Sequence, residues 1–194
     1  MNYKKSKILS NEKVVDNIYK MVCEDNNKVN AGQFYMLKLE GQTLLPRPIS
    51  ICEKDENTIT FLYAVVGKGT EEYSKLEAGD YINLTGPLGN GFNLEEDLGK
   101  VLIVCGGIGT APMVEVSKRL REMKPESKID VVAGFRDNVY LIEELEKYAD
   151  NVTITTKSGE LRSNMSYSDA LKAIGTDSYI LRYKGDKNID ITLN

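Results

Sequence analysis

The stretch Val101-Leu102-Ile103-Val104-Cys105-Gly106-Gly107-Ile108-Gly109-Thr110-Ala111-Pro112-Met113-Val114-Glu115-Val116-Ser117-Lys118-Arg119-Leu120 divides the chain into two kinds of sequence. Its first five residues are apolar without alternation, as in a strand covered on both faces. Gly106, Gly107 and Gly109 break that run, and Thr110-Ala111-Pro112 opens a helix predicted over Ala111–Met123. Proline suits a first helical turn, where its missing N–H costs nothing. Glycines let the main chain approach a pyrophosphate, and the free N–H groups at a helix start can bind one. The spacing is not GxGxxG, because Pro112 stands where the third glycine belongs. Read alone, the turn serves equally as a ligand site or as a tight strand-to-helix connection.

Beyond it, strand and helix alternate. Strands are predicted at Ile129–Phe135, Val152–Thr155 and Tyr179–Arg182, and helices at about Tyr140–Tyr148 and Tyr167–Ile174. That rhythm predicts a parallel sheet with crossover helices. The sequence before it reads differently. Lys7–Leu9, Ile18–Glu24, Gln33–Glu40, Pro48–Glu53, Thr58–Val66 and Tyr81–Thr85 are rich in Ile, Val, Tyr, Phe and Thr, and several alternate. Polar turns separate them, and one brief helix is predicted at about Thr70–Leu76. Six short strands predict an antiparallel barrel or sandwich. The expected organisation is a β-barrel domain over residues 1–97 and a Rossmann-like parallel-sheet α/β domain over 98–194.

Composition narrows the chemistry. The chain has 194 residues, 41% hydrophobic and 28% charged, with a net charge of -4. Acidic and basic residues are interspersed, and no basic stripe is present to release counterions from a phosphate backbone, so nucleic acid is not an expected partner. No apolar run approaches the roughly 18 residues of a membrane span, and Met1–Lys13 lacks a signal-peptide core, so no membrane association and a cytoplasmic location are expected. There is no histidine, which removes His ligands, His bases and His-containing triads. The three cysteines, Cys23, Cys52 and Cys105, form no CxxC pair. An all-Cys zinc or iron–sulfur site needs four thiolates, so no metal site is expected from this chain alone. Redox chemistry here would fall to a bound organic cofactor.

Three further motifs stand in the first half. In Leu45-Pro46-Arg47-Pro48-Ile49-Ser50 two prolines stiffen the approach to Arg47, whose guanidinium suits phosphate oxygens, while Ser50 could meet a ring nitrogen. The alternative is an edge-strand turn with a surface arginine. Val66-Gly67-Lys68-Gly69-Thr70 reads as an anion nest before a short helix or as a simple glycine turn, and it lacks the spacing of a Walker loop. Gly86-Pro87-Leu88-Gly89-Asn90-Gly91-Phe92 reads as a structured loop.

In this order and spacing the motifs resemble the ferredoxin reductase superfamily. AGQFYMLKL, LLPRPISICE, VVGKGTEEYSKLEAGDYINLTGPLGNGF, CGGIGTAPMVEV and GFRDNVYLIEEL look most like the electron-transfer subunits of class 1B dihydroorotate dehydrogenases, over about residues 5 to 165. The resemblance implies a barrel that binds FAD and an α/β domain that binds NAD(P). Arg47 would bind FAD phosphate, and Pro48, Ile49 and Ser50 would line the isoalloxazine. Tyr63, Ala64 and Val65 would run along the flavin and ribityl chain. Gly67, Lys68, Gly69 and Thr70 would cradle the pyrophosphate. Gly106, Gly107, Gly109 and Thr110 would face the nicotinamide dinucleotide, and Arg136 its adenosine half. Chemistry would be hydride exchange at the flavin, with no side chain named as catalytic. The implied partner is a catalytic dihydroorotate dehydrogenase subunit or another redox protein.

The resemblance also implies a CGP-type motif and a cysteine-rich segment holding a two-iron, two-sulfur cluster. Here the corresponding strand reads Tyr179-Ile180-Leu181-Arg182-Tyr183-Lys184-Gly185-Asp186, and no cluster ligands follow before Asn194. The expectation is a shortened copy of the subunit, or else a minimal flavoprotein working without a cluster. A stand-alone NAD(P)H-dependent flavin or ferredoxin reductase, a hydrogenase-type diaphorase subunit and a non-catalytic nucleotide-binding subunit remain open beside it.

Overall fold

The computed structural model describes residues 4–41, 45–95, 99–156 and 179–182, the last four through their backbone. Strands β1 (Lys4–Val15), β2 (Ile18–Glu24), β3 (Phe34–Lys38), β4 (Arg47–Lys54), β5 (Thr58–Ala64) and β6 (Tyr81–Leu88) close into a barrel in the order β1-β2-β5-β4-β3-β6. Every neighbouring pair is antiparallel, and closure leaves no free edge. Alternation decides the interior. Tyr35 and Leu37 of β3, Ile59, Phe61 and Tyr63 of β5, and Ile82 and Leu84 of β6 fall two residues apart and share one buried cluster. Helix α1 (Lys68–Tyr73) packs on this core through Tyr73, whose hydroxyl donates to the Leu37 carbonyl at 2.6 Å. The Asn11 amide ties the end of α1 to β1 by donating to the carbonyls of Tyr73 and Leu76, each at 2.8 Å.

The second unit comprises β7 (Lys100–Gly106), α2 (Ala111–Met123), β8 (Lys128–Phe135), α3 (Ile142–Glu146), β9 (Asn151–Thr156) and β10 (Tyr179–Arg182). Its sheet is parallel, in the order β10-β7-β8-β9. Val101, Ile103 and Cys105 of β7 pack with α2, whereas Leu102 and Val132 are buried in a separate, smaller cluster, which is why β7 is apolar throughout. Helix α2 is buried continuously from Ala111 to Lys118. The cluster that holds it includes Ala31, Cys52 and Leu62 of the barrel, so α2 lies between sheet and barrel.

Arg121 secures the far end of α2. Its guanidinium donates to the carbonyls of Tyr148, Pro125 and Ser127 and to Asp150 Oδ2 at 2.8 Å, a cation where the helix dipole favours one. Asp150 Oδ2 also accepts the Ile129 N–H at 2.7 Å. Partial burial alone would raise the Asp150 carboxyl, but the Ile129 N–H and the Arg121 guanidinium outweigh it and hold the group below its ordinary value. A depressed folded pKa contributes stability that is present above the unfolded value of about 3.9 and is lost as pH falls through the folded one. Asp150→Asn is therefore expected to lower the melting temperature at pH 7, with the gap to wild type closing below about pH 4. Thermal melts across that range check it.

The barrel and the α/β sheet agree with the sequence reading, and three local features differ from it. Strand β1 runs to Val15 rather than ending at Leu9, because its polar second half pairs with β2 across a hairpin turned at Asn17, φ 60°. Main-chain pairing holds that arm, and hydrophobic alternation does not report it. Helix α3 is shorter than Tyr140–Tyr148, since Leu141 has φ 62° and Tyr140 packs edge-on against Phe135 at 4.9 Å. The glycine turn after β7 is one turn of 3-10 helix, Gly107–Thr110. The predicted helix Tyr167–Ile174, the segment after Arg182 and the expected domain boundary at residue 97 lie outside the described residues. Strand β6 ends at Leu88 and β7 begins at Lys100.

Candidate functional site

Arg47 and the Gly67–Thr70 turn, some twenty residues apart, meet in space. The Arg47 guanidinium lies against Gly69 so closely that a Cβ there would come within 2.9 Å of its Nε and 3.0 Å of its Nη2. Any side chain at 69 would push the guanidinium away. Inside the turn, Thr70 Oγ1 accepts the Val66 N–H at 3.0 Å and donates to the Gly67 carbonyl at 3.1 Å. Both hydroxyl functions shape the loop, so Thr70 supports the turn from within. A Cβ on Gly67 would meet nothing within 4 Å. Open space over Gly67, two residues before the glycine that seats the guanidinium, leaves room for a phosphate group.

Strand β4 carries the rest of the proline-flanked motif. Pro48 is exposed, and Ile49 and Ser50 are half-buried. Tyr63 departs from the simplest expectation. Its ring is inside the barrel, stacked on Tyr19 at 5.8 Å, and its hydroxyl donates to Asn11 Oδ1 at 3.0 Å. Burial pushes its phenol well above the ordinary value. Tyr63 is 1% exposed as a whole, and Ala64 and Val65 after it are half-buried.

At the second unit, Gly106 and Gly134 are partners at the C-terminal ends of β7 and β8. A Cβ on Gly106 would stand 3.0 Å from the Gly134 carbonyl oxygen, and one on Gly134 would stand 3.2 Å from Thr155 Oγ1. Gly107 has φ 52°, and a Cβ on it would meet nothing within 4 Å, so it needs glycine for its conformation and leaves room above it. Gly109 and Thr110 are buried. Thr110 Oγ1 has no hydrogen-bonding partner of good geometry among the described residues, and its polar neighbour is the Cys105 thiol. Burial pushes that thiol up to about 11, with Thr110 acting in the opposite direction. Arg136 follows β8 at the same sheet edge and is exposed. Gly134 and Thr155 carry no motif of their own; only their register beside Gly106 reveals them.

The second unit meets the barrel at two of its strands. The Gly107–Thr110 turn lies beside β5, whose end carries Tyr63 and Ala64, and α2 packs along β4, which begins at Arg47. Gly69, Thr70, Gly109 and Thr110 are buried, whereas Pro48, Gly67, Lys68 and Arg136 are exposed. Among the described residues, no group of three or more His, Cys, Asp or Glu side chains could hold a metal ion. Cys23, Cys52 and Cys105 are buried and unbridged. No helix among the described residues is long and apolar enough to cross a membrane.

No family model matches the chain. It is 49% identical over 160 residues to the "Dihydroorotate dehydrogenase B (NAD(+)), electron transfer subunit" of Clostridium perfringens, covering 82% of this chain and 65% of that protein. It is 44% identical over 171 residues to the protein of that name from Clostridium acetobutylicum, covering 88% of this chain and 68% of the relative. The chain thus spans about two thirds of the length of these curated relatives. A solved NADH-dependent reduced ferredoxin-NADP oxidoreductase superposes with a TM-score of 0.75 at 25% identity, over 87% of this chain and 62% of that one. At this degree of identity and coverage, the chain belongs to the family of dihydroorotate dehydrogenase B electron transfer subunits.

Proposed function

We propose that this chain holds FAD on its barrel and a nicotinamide nucleotide at the β7–α2 turn, and passes electrons between them as the subunit of a dihydroorotate dehydrogenase. One observation carries the reading: Arg47 packs on Gly69 in a turn with open space at Gly67, while the Gly107–Thr110 turn lies beside the same barrel wall. When bound, the paired cofactors supply hydride exchange between nicotinamide and flavin rings.

The residues of the chain orient and neutralise. Arg47 and the N–H groups of Gly67–Thr70 hold the flavin's phosphates, and Pro48, Ile49 and Ser50 border its ring. The main chain at Tyr63, Ala64 and Val65 runs along the ribityl side. Gly106, Gly107, Gly109 and Thr110 receive the nucleotide, and Arg136 meets its adenosine half. The proposed nucleotide is NAD(+), following the name shared by the relatives. The proposed partner is the catalytic subunit that oxidises dihydroorotate, in the cytoplasm. The domain boundary is proposed near residue 97.

The test is purification followed by absorbance. The expected result is a yellow protein, or a colourless one that takes up FAD stoichiometrically, whose flavin band bleaches with NADH. A chain that binds neither FAD nor NADH refutes the reading. Gly67→Ala sharpens it. The methyl group meets no protein atom, so the melting temperature of the apoprotein should stay within about 2 °C of wild type while FAD affinity falls by roughly tenfold or more.

A further inference from the structure

Helix α2 grips a single residue of the barrel by both of its main-chain groups. Glu115 Oε2 accepts the Lys54 N–H at 2.8 Å, and Lys118 Nζ donates to the Lys54 carbonyl at 3.0 Å. Lys118 Nζ also donates to Asp55 Oδ1 at 2.6 Å and lies 3.5 Å from Glu53 Oε1. Glu115 and Lys118 are three apart on the helix and so project from one face. Together they meet the end of β4 as a neighbouring strand would, one accepting and one donating.

The Lys54 side chain is committed elsewhere, donating to the Asp25 carbonyl at 2.9 Å and to the carbonyls of Asp55 and Glu56. Only its backbone faces α2. The register of β4 against β5 shifts between Ile51 and Glu53; Ile51 is buried in the barrel cluster, and Cys52, on the opposite face, in the α2 cluster. Glu115 has a fully buried side chain. Burial raises its carboxyl, and the Lys54 N–H, Arg119 and Lys118 oppose that rise. Arg119 Nε donates to Glu115 Oε1 at 2.8 Å, so both carboxylate oxygens are engaged.

Position gives this contact its meaning. Residue 54 ends the strand that begins with Arg47-Pro48-Ile49-Ser50, and Glu115 stands about one turn into the helix that follows Gly107–Thr110. One strand and one helix carry parts of the two halves of the proposed site, and they are joined at Lys54, beyond Ser50 on the strand, and at Glu115 and Lys118, beyond Thr110 on the helix. Main-chain hydrogen bonds at both groups of one residue tolerate neither a slide of α2 along β4 nor a rotation about its own axis.

We infer that Glu115 and Lys118 are positioning residues: by pairing with the N–H and the carbonyl of Lys54 they set the distance and angle of the nucleotide turn from the flavin-side strand. The inference rests on the functional reading above for its consequence, and on the contacts alone for its geometry. A misplacement of about 1 Å between reacting groups can cost on the order of a hundredfold in rate.

The experiment compares full-length wild type with Glu115→Ala, Glu115→Gln and Lys118→Met, each reconstituted with FAD. Glutamine keeps an acceptor for the Lys54 N–H and should rescue most of the loss. For Glu115→Ala the expected result is unchanged FAD content and an unchanged rate of flavin reduction by dithionite, with NADH-driven flavin bleaching slowed on the order of tenfold to a hundredfold. Faster amide hydrogen exchange at Lys54 in Glu115→Ala is expected with or without cofactors. Equal NADH-driven rates together with equal Lys54 exchange in wild type and Glu115→Ala would overturn the inference. If wild type binds no flavin, the functional reading fails by itself, and Lys54 exchange in the apoproteins then decides for or against the clamp. Should Glu115→Ala not fold, Lys118→Met, which removes the bond to the Lys54 carbonyl, gives the same comparison.

Discussion

Arg47→Ala is expected to weaken FAD binding by roughly tenfold to a hundredfold, equivalent to about 1.5–3 kcal/mol for a lost charge-assisted hydrogen-bonding group. The guanidinium is held at the mouth of the Gly67–Thr70 turn by its contact with Gly69 and by its bond to the Leu45 carbonyl. It makes no ion pair among the described residues, so its charge is available for a ligand. Arg47→Lys should fall between the two, because an ammonium keeps the charge and loses the planar fork. The measurement is flavin fluorescence titration of apoprotein, with a thermal melt as control for folding. Removal of a half-buried side chain that bonds one carbonyl should leave the melt nearly unchanged. Flavin affinity equal to wild type in Arg47→Ala would remove Arg47 from the site.

Gly91→Ala is expected to be the most destabilising of these substitutions, by roughly 2–5 kcal/mol. Two separate causes act at this position. Its φ of 75° is a conformation that an L side chain adopts at a cost of about 1–2 kcal/mol. A Cβ there would also stand 2.7 Å from the Ala31 carbonyl oxygen and 2.9 Å from Asn30 Cβ. Relief is blocked because the same Ala31 carbonyl accepts the Phe92 N–H at 2.9 Å, and the Gln33 side chain bridges Asn30 and the Gly89 carbonyl. At this chain length, that loss corresponds to a melting temperature lower by about 5–15 °C. Phe92 and Leu94, just beyond the loop, pack in the cluster around α2, so the damage should extend to the junction of barrel and sheet. A melt within about 2 °C of wild type would contradict the close packing described.

Much of this protein is legible along the chain, for a physical reason that differs between its halves. A buried parallel strand and a glycine-broken turn are local facts, and Val101–Pro112 displays both. Period-two alternation likewise exposes the barrel strands wherever one face is dry, as at Tyr35 and Leu37. Where a strand is held by main-chain pairing and polar side-chain contacts, as in Ser10–Val15, no hydrophobic alternation records it.

The sequence by itself determined the order of barrel, glycine turns and parallel sheet, and the residue types able to bind phosphate, because these depend on the solvent exposure and backbone freedom of near neighbours. Only the tertiary structure decided that the Arg47 guanidinium seats on Gly69, that the Tyr63 ring turns inward to Asn11, and that Glu115 and Lys118 hold Lys54. Those contacts join residues up to about sixty positions apart. Their partners are chosen by strand closure and helix packing, and no local preference of either residue encodes that choice.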